Sequence, residues 1–182
     1  MSPTRQEESD AAADATTVTV YLALGSNLGD RRRSLADAIA RLDDTAVTGV
    51  RIVARSHLYE TDAVSPEAQP PYLNAVLRAE TTRPPAALLA LCLEVERALG
   101  RVRPAGSDKA SRTLDIDLLL YGDQQIHTPT LTVPHPALLA RPFVRIPLAD
   151  VARPGLRHPR TGDDLTQAEA SPGVRRSSDL RV

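Results

Sequence analysis

The strongest constraint on the fold is the order in which two hydrophobic periods alternate along the chain. Between residues 17 and 165, segments with the two-residue period of strands alternate with segments that have the helical period. Strands are predicted at 18–24, 47–59, 72–81 and 114–121. One helix is predicted around Leu35–Leu42, with Asp30 as its N-cap, and a second is opened by Pro84 and Pro85 and ended by Gly100. The order β-α-β-β-α-β predicts an α+β fold, a ferredoxin-like sandwich with a C-terminal extension.

Both ends of the chain lack this periodicity. Residues 1–16 are polar, acidic and alanine-rich, and residues 166–182 have a similar character. We therefore predict two disordered tails around one domain at 17–165. Within that domain the proline-containing segment 60–71 is predicted to be a loop. The extension holds a short strand near 124–127 and an apolar segment at 137–151.

Composition excludes several classes of function. The net charge of −1 argues against a protein that binds nucleic acid or an anionic membrane through charge. The single lysine, Lys109, does not lie in a P-loop motif, and the single Cys92 excludes an intramolecular disulfide or a cysteine-rich zinc site. The sequence has no apolar run of membrane-spanning length and no signal-peptide pattern. We therefore expect a cytoplasmic protein, with no nucleic acid or membrane as partner.

Two aspartates on the last predicted strand are the most informative acidic residues. Asp115 and Asp117 are two positions apart, so their side chains share one face, ~7 Å apart along the backbone. Two carboxylates this close repel each other unless a proton or a cation lies between them. Mg²⁺ held together with substrate phosphates is the usual arrangement. The alternative is an acidic pair on a solvated sheet face, and the spacing alone does not decide between the two.

Arginines next to this pair favour the metal site. Arg101, Arg103 and Arg112 flank the loop before the aspartates, and Arg141 follows later. The planar guanidinium group matches the oxygens of a phosphate, so the combination indicates a metal–polyphosphate site. Arginine is common in this chain, and each one taken alone is better explained as a solvated surface residue than as a functional one. His135 lies between two prolines, a stiff setting that suits a positioned side chain.

Five blocks of sequence, in this order, match one known family. They are Tyr21–Asp30, Tyr72–Thr81, Glu96–Arg103, Arg112–Gly122 and Leu131–Phe143. Over residues 18–165 the chain resembles the 6-hydroxymethyl-7,8-dihydropterin pyrophosphokinases of folate biosynthesis. The resemblance implies transfer of pyrophosphate from ATP to the hydroxymethyl group of the pterin, which leaves AMP. It also implies two Mg²⁺ ions as cofactors and ATP and the pterin as partners; we expect a monomer.

The resemblance assigns roles to individual residues. It makes Asp115 and Asp117 metal ligands, and it places Arg101 and Arg103 in a catalytic loop. In the mechanism that this implies, Asp117 is our candidate for a general base, although a carboxylate that binds metal is a poor one. Contacts to ATP would come from Glu96, Arg112, Leu118, Thr132, His135 and Arg141. The pterin would stack between the rings of Tyr72 and Phe143 and meet Thr61 and Asn74 at its edge. Without the resemblance, ordinary core packing would explain both rings.

Two loops depart from the family pattern and keep other functions open. Asp62–Ser65 replaces a proline-containing stretch, and Lys109–Ser111 stands where many members have Trp-Gly-Pro. A second hypothesis is therefore a diverged paralogue that binds pterin or nucleotide without efficient turnover. A third is an RNA-binding module on a ferredoxin-like sheet. Such modules stack bases on sheet aromatics, where this chain has Asp115 and Asp117.

Overall fold

A six-stranded antiparallel sheet forms the centre of the protein. The computed structural model describes residues 16–63, 69–100 and 113–177. In chain order its elements are β1 (Val18–Ser26), α1 (Arg31–Leu42), α2 (Thr45–Thr48), β2 (Val50–Arg55), β3 (Tyr59–Thr61), β4 (Tyr72–Thr81), α3 (Pro85–Ala98), β5 (Asp115–Tyr121), β6 (Ile126–His127), β7 (Thr132–Val133), α4 (Pro142–Val151) and β8 (Val174–Arg176). The sheet order is β5-β1-β4-β3-β8, and β2 also pairs with β4. Strands β6 and β7 form a separate pair.

Helices bury both faces of this sheet. On one face α1 and α3 pack against β1 residues such as Val20 and Leu22. On the other face α4 packs against Tyr21 and Val76. Alternate residues of β1 therefore serve different cores, as the two-residue period of a strand requires. None of the helices in the described part of the chain has the length and apolar character needed to span a membrane.

The two long helices α1 and α3 begin and end where the sequence predicts. The Asp30 side chain accepts a hydrogen bond from the Arg33 N–H at 3.0 Å, so Asp30 is the N-cap of α1. Helix α1 buries Leu35, Ala38, Ile39 and Leu42, the predicted apolar stripe. Helix α3 begins at Pro85 and ends before Gly100, whose φ of 84° is left-handed. The strands predicted at 18–24, 72–81 and 114–121 are present as β1, β4 and β5.

The prediction of a single strand at 47–59 is wrong, because residues 45–61 form α2, β2 and β3 instead. Gly49, with φ of 65°, ends the short helix α2, and a register shift follows Ile52. The Ser56 hydroxyl then accepts the Val76 N–H at 2.9 Å, and the His57 N–H donates to Asp150 on α4 at 3.0 Å. The Ser56 backbone N–H still donates to Val76 O at 2.9 Å, but these side-chain contacts separate β2 from β3, so the predicted common face is interrupted.

The C-terminal segment also differs from the predicted tail. Strand β8 lies within 166–182 and pairs with β3. The prediction of a loop at 60–71 is therefore wrong for residues 60 and 61, which belong to β3. An ion pair between Arg175 and Asp62 accompanies the pairing. The sequence gives little sign of it because both partners are exposed and far apart along the chain. Residues 1–15 and 178–182, the rest of the two predicted tails, lie outside the described residues.

The single cysteine gives a test of this packing. Cys92 on α3 is fully buried, and burial raises the pKa of its thiol to about 12, with the charge of Glu96 adding to the effect. Since the thiolate is the reactive form, the native protein should react very slowly with a maleimide at pH 8 and rapidly once unfolded in denaturant. The rate of adduct formation, followed by mass spectrometry, measures this. Rapid stoichiometric labelling of the native protein would contradict the packing of α3.

Candidate active site

One row of residues across the sheet organises the site. Asp115 on β5 lies opposite Gly25 on β1, and Gly25 lies opposite Asn74 on β4. Directly opposite residues of antiparallel strands point to the same face, and neighbouring strands are ~4.8 Å apart. The backbones of Asp115 and Asn74 are therefore about 10 Å apart on one face. The same face carries Ala23 and Val76, which pack toward α4.

The acidic pair occupies the outer side of this face. Asp115 and Asp117 are half-buried, whereas Ile116 and Leu118 between and after them are buried in the opposite core. The alternation predicted for this strand is therefore confirmed. The Ile116 N–H donates to Oε1 of Glu96 at 2.8 Å, and Glu96 is itself buried. A carboxylate on α3 thus fixes the backbone between the two aspartates.

His135 and Arg141 approach Asp117 from a later part of the chain. Their Nε2 and Nη1 atoms lie 3.8 and 3.9 Å from Asp117 Oδ2. The His135 backbone N–H donates to Leu119 O at 2.9 Å, which anchors this segment on β5. His135 Nδ1 accepts the Ala137 N–H at 3.1 Å. The proton of the neutral ring is therefore on Nε2, the nitrogen that faces Asp117.

Burial governs the protonation of this histidine. It lowers the pKa of His135, while the charge of Asp117 acts in the opposite direction and that of Arg141 in the same direction. The ring is therefore neutral at pH 7, with Nε2–H as a hydrogen-bond donor. The Nε2–H of His135 and the guanidinium group of Arg141 can both donate hydrogen bonds to a phosphate group. Because two carboxylates lie beside them, the charge of that phosphate has to be partly neutralised by a bound cation.

Two aromatic rings lie on the same side of the sheet as the acidic pair. Phe143 is the second residue of α4 and the single phenylalanine of the chain, and the Arg141 guanidinium lies 5.7 Å from the centre of its ring. Tyr72 begins β4 opposite Thr61, two residues before Asn74, and so shares the face of Asn74. This face can therefore offer flat apolar surfaces next to a charged end.

Asn74 has a fixed orientation. Its Nδ2 donates to Thr61 Oγ1 at 2.9 Å and to the Tyr59 carbonyl oxygen at 3.3 Å. A carbonyl oxygen only accepts, so the NH₂ group of Asn74 must face β3. Its Oδ1 then points toward β1, where a Cβ atom on Gly25 would lie 3.3 Å from it. Asn74 thus directs a hydrogen-bond acceptor toward Gly25, where any side chain would crowd it.

Gly25 is the residue of this site that the sequence analysis misses. The available signal is a glycine within a regular strand, which often marks the close approach of a ligand or another chain segment. That signal says nothing about which segment approaches. The partner, Asn74, is known only once β1 and β4 are paired in register.

Other predicted residues are less directly placed. The Leu118 side chain is buried in the core on the other face of the sheet from Asp117. A nucleotide on the face of Asp117 would therefore contact the backbone of Leu118 and not its side chain. Thr132 is half-buried on β7. Glu96 contacts the β5 backbone. Arg101, Arg103 and Arg112 lie outside the described residues. The roles of these residues toward ATP stay predictions.

The donor set suits Mg²⁺ only in combination with a phosphate ligand. Within 16–63, 69–100 and 113–177, no three His, Cys, Asp or Glu side chains cluster closely enough to enclose a metal ion. Asp115 and Asp117 offer hard oxygen ligands from one face of one strand. Mg²⁺ is commonly held by one or two carboxylates, with phosphate oxygens and water completing the octahedron. The residues present fit that arrangement.

Comparisons of this chain with known proteins agree on one family. The model of the 7,8-dihydro-6-hydroxymethylpterin-pyrophosphokinase (HPPK) family matches residues 21–153. A 2-amino-4-hydroxy-6-hydroxymethyldihydropteridine pyrophosphokinase of Pseudomonas aeruginosa is 43% identical over 143 residues, which cover 77% of this chain and 83% of that protein. The protein of the same name from Methylorubrum extorquens is 42% identical over 132 residues, covering 72% and 81%.

Larger proteins contain the same unit. Folic acid synthesis protein fol1 of Pneumocystis carinii is 38% identical over 143 residues, which are 79% of this chain but only 18% of that protein. The crystal structure of Plasmodium falciparum HPPK-DHPS with pterin and p-hydroxybenzoate has a TM-score of 0.62 at 14% identity, and the match covers 85% of this chain and 43% of that one. At that identity the likeness shows the fold alone. The family model and the bacterial relatives together show that the chain belongs to the 7,8-dihydro-6-hydroxymethylpterin-pyrophosphokinase family.

Proposed function

We propose that this chain transfers pyrophosphate from ATP to the hydroxymethyl group of 6-hydroxymethyl-7,8-dihydropterin, giving AMP, in folate biosynthesis. The observation that carries the proposal is the row Asp115–Gly25–Asn74, which puts an acidic pair and a fixed amide acceptor on one sheet face. The relatives' names supply the substrate class. The strand order β5-β1-β4 with β2 beside β4 supports a ferredoxin-like arrangement. The monomeric state and cytoplasmic location stay predictions.

The phosphate end of the site would bind ATP through charge. Asp115 and Asp117 would hold two Mg²⁺ ions, which when bound would polarise the β- and γ-phosphate oxygens and neutralise their charge. His135 Nε2–H and Arg141 would donate to phosphate oxygens, since both already lie within 4 Å of Asp117 Oδ2. From the sequence we add Arg101, Arg103 and Arg112 as further cations. Positioning and charge neutralisation account for most of the catalysis in such transfers.

The pterin end would bind a flat heterocycle. Phe143 and Tyr72 would stack on its two faces, and Thr61 supports Asn74, whose Oδ1 would accept a hydrogen bond from a ring N–H or amino group. The hydroxymethyl oxygen would then lie over Gly25, between Asn74 and Asp115. From there it would attack the β-phosphorus in line. A carboxylate that ligates metal is a poor base, so Asp117 would assist deprotonation chiefly by holding the metal.

The test is pterin-dependent release of AMP. The protein is incubated with ATP and Mg²⁺, with and without 6-hydroxymethyl-7,8-dihydropterin, and nucleotides are separated by chromatography. We expect AMP only when the pterin is present and little product in EDTA. The diverged-paralogue alternative predicts binding of pterin or ATP without AMP. Binding of RNA with no effect of the pterin would instead favour the third hypothesis.

Adding a side chain at Gly25, between the two ends of the site, should weaken pterin binding. In Gly25→Ala the new methyl group meets Asn74 Oδ1 at 3.3 Å, so the amide must move or the ligand must sit higher. Overpacking of this kind costs about 1–3 kcal/mol, and we expect the pterin KM to rise roughly tenfold with a smaller change for ATP. Gly173→Ala is the matched control, because a Cβ there meets nothing within 4 Å. Wild-type kinetics in Gly25→Ala would remove Gly25 from the site.

A further inference from the structure

The last described strand, β8, lies at the pterin end of the candidate site. It pairs antiparallel with β3, with Val174 opposite Thr61 and Arg176 opposite Tyr59. The Ser177 N–H extends the ladder by donating to Leu58 O at 2.8 Å. Strand β3 has only three residues and lies between β4 and β8. The segment that supports Asn74 is thus held from both sides.

A bidentate ion pair between side chains also joins β8 to the end of β3. Arg175 Nη1 and Nη2 lie 3.1 and 2.8 Å from the two carboxylate oxygens of Asp62, which is 113 residues away in sequence and directly follows Thr61. Hydrogen bonding to Arg175, together with its charge, lowers the pKa of the Asp62 carboxyl. Both side chains are largely exposed, so the pair adds little overall stability. Its bidentate geometry matches the register in which Arg175 lies opposite Glu60, one residue before Thr61.

We propose that β8 positions the pterin-binding groups by holding β3, with Arg175 and Asp62 as positioning residues. The inference rests on the proposed function and deepens it. Two acceptors on β3, Thr61 Oγ1 and the Tyr59 carbonyl oxygen, orient the amide of Asn74. Strand β8 therefore acts on the substrate indirectly. Its ladder holds β3, and β3 in turn orients the Asn74 amide through two hydrogen bonds.

The consequence is specific to one substrate. Without β8, the outer edge of a three-residue strand loses its ladder. Strand β3 then keeps its pairing with β4 and two side-chain contacts, Tyr59 with Asp150 and Glu60 with Arg31. If Thr61 and Tyr59 shift, the Asn74 amide can turn and present NH₂ where a ring N–H needs an acceptor. Asp115 and Asp117 lie beyond β1, on the other side of Gly25, and have no contact with β3 in the sheet order. Pterin affinity should fall while ATP affinity is retained.

The test compares four variants with wild type. They are a chain that ends at Pro172, Arg175→Gln, Asp62→Asn, and the exchange of Asp62→Arg with Arg175→Asp. Arg51→Gln is the matched control, since Arg51 forms an exposed cross-strand ion pair with Glu80 toward the opposite end of β4. Calorimetry measures binding of ATP with Mg²⁺, and of the pterin in the presence of a non-hydrolysable ATP analogue. Thermal melting is recorded for each variant.

We expect about tenfold weaker pterin binding in the truncated chain and a two- to fivefold loss in each single variant, with ATP binding unchanged. The exchanged pair should recover most of the loss. Wild-type pterin affinity in the truncated chain would overturn the proposal, as would a parallel loss of both ligands together with a lower Tm. A wild-type protein that binds no pterin would count against the proposed function itself. Pterin binding that does not depend on β8 would count against the role of β8 alone.

Discussion

Replacing Asp115 or Asp117 with asparagine is expected to lower turnover by at least ~100-fold in each variant, without loss of stability in the metal-free protein. Each change removes a charge from a site that must hold divalent cations against a polyphosphate, and charge neutralisation supplies most of the catalysis. The two carboxylates share one face of β5, so removing one also relieves repulsion. The metal-free Tm should therefore stay the same or rise in Asp115→Asn. In Asp117→Asn the lost attraction to Arg141, 3.9 Å away, offsets this gain, so the Tm should stay close to that of wild type.

The comparison uses AMP production with Mg²⁺ and thermal melting in EDTA. Asp123→Asn is the matched control, because Asp123 is an exposed acidic residue just after β5. If the pair were only a solvated acidic surface, all three variants would behave like wild type. Retained activity in both Asp115→Asn and Asp117→Asn would remove the metal site and the mechanism built on it.

Truncating Phe143 should have the second-largest effect, on pterin rather than ATP. Loss of one stacking face costs about 1–3 kcal/mol for a base on an aromatic side chain, so Phe143→Ala should weaken pterin binding by roughly 10- to 100-fold. Phe143 also packs at the edge of the core under α4. A stability loss in the alanine variant is therefore expected as well and must be separated from binding.

Phe143→Leu separates stacking from packing. Leucine keeps an apolar side chain of similar length at the start of α4 but has no aromatic face. If the ring stacks on the pterin, Phe143→Leu should melt close to wild type and still bind pterin at least ~10-fold more weakly. If the ring only packs, as core packing alone would suggest, the leucine variant should bind pterin normally. Calorimetry on the folded variants decides between the two.

Local sequence signals account for the framework of this protein. The apolar stripe of α1 and its cap at Asp30 depend on residues within one or two helical turns. The shared face of Asp115 and Asp117 follows from the strand period alone. Even the approximate limits of β4 and α3 follow from local patterns, since prolines and a left-handed glycine mark the ends of the helix.

Contacts between distant segments account for what the sequence does not reveal. The break between β2 and β3 depends on Asp150, which draws the His57 backbone toward α4. The pairing of β8 with β3 brings together Arg175 and Asp62, which are 113 residues apart, and the close approach of Gly25 to Asn74 depends on strand register. None of these contacts has a periodic signature, because each involves single side chains from separate elements. The sequence therefore predicts which residues belong to the site but not how they are arranged in space.

The most direct test of the account is the identity of the phosphorus-containing products. ³¹P NMR of a reaction with ATP, Mg²⁺ and 6-hydroxymethyl-7,8-dihydropterin distinguishes attack at the β-phosphorus from attack at the γ-phosphorus. We expect AMP and a pterin diphosphate in equal amounts, the latter with two mutually coupled resonances. ADP with a pterin monophosphate, or ADP with inorganic phosphate, would contradict the proposed pyrophosphate transfer.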